Sequence, residues 1–142
     1  MMGKLTAQYT AGLFDGEGSV SIVVRNYRKD NRPFYSLAIQ LTNTHYGIVE
    51  SLKETWSGHV YSEHHKNRQR MYYKWMLLGK NGLSFLEAVL PFSIIKQRQV
   101  NIGIEFISTI LPKIGSRGAR TNEMHQNQTK LREELMALNE KY

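Results

Sequence analysis

The chain has 142 residues, 41% hydrophobic and 22% charged, a composition that suits one globular domain with a buried core. Nineteen Lys and Arg against twelve Asp and Glu give +7, or twice that, +14, for two associated chains; this favours a polyanionic partner, nucleic acid before anionic membrane, since no basic amphipathic helix stands out. The lack of cysteine excludes a disulfide framework and a thiolate zinc site, and no apolar run resembles a signal peptide or reaches the roughly 20 residues of a membrane span, so a soluble intracellular protein is expected, in a prokaryotic cytoplasm or an organelle interior.

Leu5, Tyr9 and Leu13 recur at helical spacing around Thr6, a candidate N-cap, which predicts a first helix over 6–14 ended by Gly16 and Gly18. On it Gln8, Ala11, Gly12 and Asp15 form a face of mostly small residues, where a second helix could approach backbone to backbone as a dimer interface. Residues 19–27 are β-branched and 34–42 alternate cleanly across a polar loop holding Arg28 and Arg32, a long hairpin. Val20, Ile22 and Val24 are expected to point inward with Tyr35, Leu37, Ile39 and Leu41. That leaves Ser19, Ser21, Val23, Arg25 and Tyr27 outward on one strand, and Phe34, Ser36, Ala38, Gln40 and Thr42 outward on the next. Thr44 can cap a helix carrying Ile48, Val49, Leu52 and Trp56.

A second hairpin is predicted over 58–64 and 70–78, around a basic tip with Lys66 and Arg68. Arg70, Tyr72 and Lys74 are expected outward and Tyr73 and Trp75 inward, with Tyr61 facing outward between His59 and Glu63. Adjacent His64 and His65 would point to opposite faces, so phosphate contact at the tip explains them better than a metal site. Helices follow at 82–90 and, after Pro91, at 94–110. Beyond the glycine-containing basic loop 112–120 a last helix turns Leu131, Leu135 and Leu138 inward.

The order α-ββ-α-ββ-α-α describes a single α+β domain over 1–142, with four antiparallel strands, helices on one face and the other face open. Arg, Lys, Gln and Ser on that face are side chains that read base edges, a β-ribbon fits the major groove, and Ser21, Ser36 and Ala38 permit close approach. A solvated sheet face shows the same alternation, so the pattern suggests DNA without fixing any one contact.

The stretch Thr10-Ala11-Gly12-Leu13-Phe14-Asp15-Gly16-Glu17-Gly18 places an acidic residue between glycines at a helix end, where a carboxylate beside a freed carbonyl makes a hard-oxygen half-site for magnesium. TAGLFDGEG resembles the LAGLIDADG motif of homing endonucleases: seven positions agree identically or conservatively, Thr10 stands for the usual leucine, and Gly16 is a common variant. The element order matches the αββαββα fold of that family over nearly the whole chain. The resemblance implies a homing-endonuclease-like domain with a four-stranded antiparallel saddle-shaped sheet and C-terminal helices. It implies a single-motif, intron-encoded homodimer that makes a staggered double-strand break at a long, roughly palindromic target in double-stranded DNA.

It further implies that Glu17 binds the catalytic metal with the Gly16 carbonyl, and that Asp15 is structural. LAIQLTNT resembles the second strand of single-motif members, placing Gln40 on the DNA face and Asn43 near the attacking water. FSIIKQRQVN resembles their helix after the second hairpin, with Lys96 as the catalytic basic residue and Arg98 as a phosphate contact. The alternatives from residue type alone are a turn or cap for Asn43 and a solvated first-turn lysine for Lys96. An arginine that some members carry just after the Asn43 position is absent here, where Tyr46 and Gly47 stand. The implied cofactor is Mg2+, with Mn2+ able to substitute and Ca2+ binding without supporting cleavage. No membrane partner is implied, while maturases acting on intron RNA and non-cleaving DNA-binding relatives give the alternative reading.

Overall fold

A computed structural model describes residues 3–26, 33–64, 70–110 and 122–141. Among them the elements run α1 (Ala7–Glu17), β1 (Gly18–Asn26), β2 (Pro33–Asn43), α2 (Tyr46–Trp56), β3 (His59–His64), β4 (Met71–Leu78), α3 (Leu83–Val89), α4 (Gln97–Ser108) and α5 (Asn122–Lys141). The α+β architecture is the one the sequence predicts. All four strands form one antiparallel sheet in the order β1-β2-β4-β3, so two hairpins are joined through β2 and β4.

Period-two alternation divides the sheet's side chains. Val20, Ile22, Tyr35, Leu37, Ile39, Leu41, Trp75 and Leu77 are buried on the inner face, against apolar residues from all five helices. Phe85 of α3 sits at the centre, its ring 5.2 Å from Phe14, 5.5 Å from Trp56 and 5.1 Å from Trp75. These tilted and edge-on contacts tie α1, α2 and β4 to one point. Helix α5 covers one of the sheet's two edges: Arg132 Nε donates to the Ile22 carbonyl at 3.2 Å and Asn139 Nδ2 to the Val20 carbonyl at 3.0 Å. Both carbonyls belong to edge strand β1, whose outward polar groups need such partners. Leu131 and Leu135 are buried beneath α5 and Leu138 packs beside them.

Several local expectations are corrected. Helix α1 runs through Gly16 to Glu17 instead of stopping near 14, because glycine weakens a helix without forbidding it and the stop comes from Gly18, whose backbone is extended. Val24 lies on the inner face opposite Tyr35, as expected, but is 42% exposed instead of buried, since an edge strand has a neighbour on one side only. The N-cap of α2 is His45, not Thr44, with Nδ1 accepting from the Ile48 N–H at 3.1 Å. The helix expected over 82–90 is confined to Leu83–Val89 between 3-10 turns, Pro91 lying in the second. The helix expected from 94 begins at Gln97. Among the described residues no helix is long and apolar enough to cross a membrane.

Candidate active site and nucleic-acid interface

The site is built where α1 runs into β1. Thr6 caps the helix, its Oγ1 accepting from the Tyr9 N–H at 3.1 Å. Thr10 is fully buried where a leucine is usual, and its hydroxyl is satisfied: Oγ1 donates to the Thr6 carbonyl at 2.7 Å and accepts from Trp56 Nε1 at 3.3 Å. At the other end the Gly18 N–H donates to the Phe14 carbonyl. Gly18 is required by close approach, since a Cβ there would lie 2.1 Å from the Phe14 ring.

Asp15 faces the protein's own interior. Its Oδ2 accepts from the N–H groups of Ile94 at 2.8 Å and Ile95 at 3.2 Å, and Oδ1 accepts from the Lys96 N–H at 3.1 Å. A carboxylate thus binds three successive donors just ahead of α4, where the helix dipole also favours negative charge. Lys96 returns the contact, its Nζ donating to the Asp15 main-chain carbonyl at 2.6 Å. The lysine is buried rather than solvated. Burial holds its pKa below the ordinary lysine value, against the opposing pull of the Asp15 charge. Asp15→Ala leaves three N–H donors without their acceptor and removes the charge facing the Lys96 ammonium, which keeps only its bond to the main-chain carbonyl, so urea unfolding is expected to show a loss of about 2–4 kcal/mol.

Glu17 is exposed at the last position of α1. Its Oε2 accepts from Asn43 Nδ2 at 2.5 Å, and Asn43 Oδ1 accepts from the His45 N–H at 2.7 Å. Asn43 therefore forms the turn before α2 and orients Glu17 as well. A helix leaves its last four carbonyls without intrahelical donors; here Gly18 serves Phe14 and Lys96 serves Asp15, with the Gly16 and Glu17 carbonyls next in line. Among the described residues no group of three or more His, Asp or Glu side chains could hold a metal. One exposed carboxylate with a neighbouring carbonyl is a donor set of hard oxygens that fits part of a magnesium shell, which is commonly completed by water and phosphate oxygens.

The exposed side of α1 carries Gln8, Tyr9, Gly12 and Gly16, and among the described residues a Cβ on either glycine would meet no neighbour within 4 Å. Ala11 and Asp15 are removed from the expected interface face. Ala11 has no exposure and packs in the core, and Asp15 is committed to 94–96.

On the outer sheet face the register aligns Ser19, Gln40, Met76 and His59 in one row, Thr42, Lys74 and Tyr61 in the next, and Ser21, Ala38 and Leu78 in a third. Val23 faces Ser36 and Arg25 faces Phe34 further along. Ala38 is corrected as a contact residue: at 5% exposure, its methyl lies between its cross-strand neighbours Ser21 and Leu78. Arg70 is exposed just before β4, Tyr72 is half-buried on it, and Arg98 is exposed in the first turn of α4, near Lys96 in sequence. Lys74 pairs with Glu63, Nζ to Oε1 2.9 Å. Tyr27, Arg28, Arg32, Lys66, Arg68, His65 and the loop 112–120 lie outside the described residues. Met76 and Leu78 were missed as outer-face residues because the run Trp75-Met76-Leu77-Leu78 is apolar throughout and carries no alternation to read.

No sequence-family profile matches the chain, and no curated protein matches it in sequence. Solved structures do. The homing endonuclease I-CvuI, in complex with its target in the presence of calcium, gives a TM-score of 0.75 at 16% identity over 93% of this chain and 80% of that one. The archaeal intron-encoded homing endonuclease I-Vdi141I, complexed with DNA, gives 0.75 at 19% identity over 93% and 82%. The LAGLIDADG homing endonuclease I-SmaMI, bound to cleaved DNA, gives 0.69 at 19% identity over 91% of this chain and 43% of that one. The chain has the LAGLIDADG homing-endonuclease fold.

Proposed function

We propose that this chain is a site-specific, magnesium-dependent DNA endonuclease that acts as a homodimer. The observation that carries the reading is the exposed Glu17, held by Asn43 at the end of the motif helix, with the Lys96 ammonium on the Asp15 carbonyl two residues before it. Glu17 and the Gly16 carbonyl would hold Mg2+, with Mn2+ as a substitute. When bound, that ion supplies Lewis-acid polarisation of the scissile phosphate and support for the leaving oxygen. Lys96, buried with its Nζ on the Asp15 carbonyl, would add fixed positive charge close to the motif as negative charge develops on the phosphate. Asn43 orients Glu17, and the second N–H of its amide would hydrogen-bond the attacking water, so that no covalent nucleophile is required.

One chain supplies one such carboxylate, and two chains packed along Gln8, Gly12 and Gly16 of α1 would bring two together across a two-fold axis. This chain matches only 43% of I-SmaMI, which leaves room in that protein for a second copy of the fold. A symmetric pair implies a roughly palindromic target and a staggered cut, each outer sheet face reading one half-site.

Binding to duplex DNA tests the reading. The log–log salt slope is expected to be on the order of −0.9 per neutralised phosphate, with duplex preferred to structured RNA. A nearly flat salt dependence would remove the basic face from the site. A preference for structured intron RNA would favour the maturase reading.

A further inference from the structure

The Glu63–Lys74 ion pair has no role in the cleavage chemistry. Trp75 and Val60 occupy the inner face, so their neighbours Lys74 and Tyr61 point outward, with Glu63 two residues further along β3 on the same side. Lys74 and Glu63 lie diagonally across the two strands with Nζ 2.9 Å from Oε1, their side chains 27% and 39% exposed. Exposed pairs of this kind add little to stability. A carboxylate on a surface apposed to phosphates repels the ligand, and a lysine tied to it contributes less to phosphate binding. The pair is poorly placed for either role and well placed for a third.

In the major groove a G·C pair presents guanine N7 and O6 as adjacent acceptors and cytosine N4 as a donor beside them. O6 and N4 are Watson–Crick partners, and hence about 2.9 Å apart, the separation of Lys74 Nζ and Glu63 Oε1. An ammonium can donate to both guanine acceptors while the carboxylate accepts from cytosine N4, three bonds in all. An A·T pair alternates acceptor, donor and acceptor and ends on a methyl, so the same two groups satisfy one fewer bond there. We propose that Glu63 and Lys74 together read one G·C base pair in each half-site, Lys74 on guanine and Glu63 on cytosine. This rests on the DNA-binding reading above.

The test is selection of bound duplexes from a randomised library by the full-length protein in calcium-containing buffer. The wild type is expected to require G·C at one symmetric pair of positions. Glu63→Gln and Lys74→Met should each relax that preference by roughly tenfold to a hundredfold and leave the other positions intact. The exchange Glu63→Lys with Lys74→Glu keeps an ion pair but swaps donor for acceptor, and should turn G·C into C·G at the same place. A wild-type site preference unchanged in all three variants, or an A·T requirement at the affected position, overturns this inference and leaves the endonuclease reading standing. A wild type that binds duplexes without preference, or not at all, overturns the reading beneath it and this inference with it.

Discussion

Glu17→Gln is expected to abolish strand cleavage, by roughly a thousandfold or more, because it removes the charge proposed to hold a divalent cation and with it the several kcal/mol of charge stabilisation that the metal would supply. The fold should survive. Glu17 is exposed, contributes nothing to the core, and Gln keeps an oxygen able to accept from Asn43 Nδ2. Duplex affinity should therefore stay within a few-fold, and unfolding should match the wild type. Gel assays of cutting and binding on one substrate separate the two effects, and retained cutting would take Glu17 out of the mechanism.

Gly12→Leu should convert a dimer to a monomer. Among the described residues no neighbour lies within 4 Å of a Cβ at that position, so a larger side chain costs the single chain little and projects from the exposed side of α1. Against a closely packed partner helix, overpacking costs about 1–3 kcal/mol for each occurrence, and a two-fold axis presents it twice. Light scattering is expected to show the mass halved, with double-strand cutting lost alongside. A dimer that persists would mean that the chains associate through another surface.

The two hairpins were legible because one face of each strand is apolar and the other is not: Tyr35, Leu37, Ile39 and Leu41 are all buried, as their alternation implies. Where that contrast fails, at Trp75-Met76-Leu77-Leu78, the outer-face members were invisible. The small-residue pattern on α1 indicated a partner helix against all of Gln8, Ala11, Gly12 and Asp15, and two of these have partners within the chain. Ala11 meets the protein's own core and Asp15 meets backbone 79 to 81 residues away, contacts that no local spacing can report. Lys96 was locatable through the motif-like segment around it, whereas its burial follows from Asp15 and was hidden for the same reason. Asn43 was read as either turn former or site residue, and its two amide atoms allow both. His45 as helix cap had a faint signal, since it directly precedes an amphipathic segment, but Thr44 carried the stronger capping preference.

Cutting of both DNA strands by two copies of one motif helix, with the help of a divalent ion, underlies each of the roles proposed above. It is tested most directly by incubating the purified protein with a partly randomised palindromic duplex library, with magnesium or with chelator, and sequencing the ends produced. Recurrent staggered ends, symmetric about one centre and present only with magnesium, are the predicted result. Binding without any cut ends, or ends that persist under chelation, would contradict it.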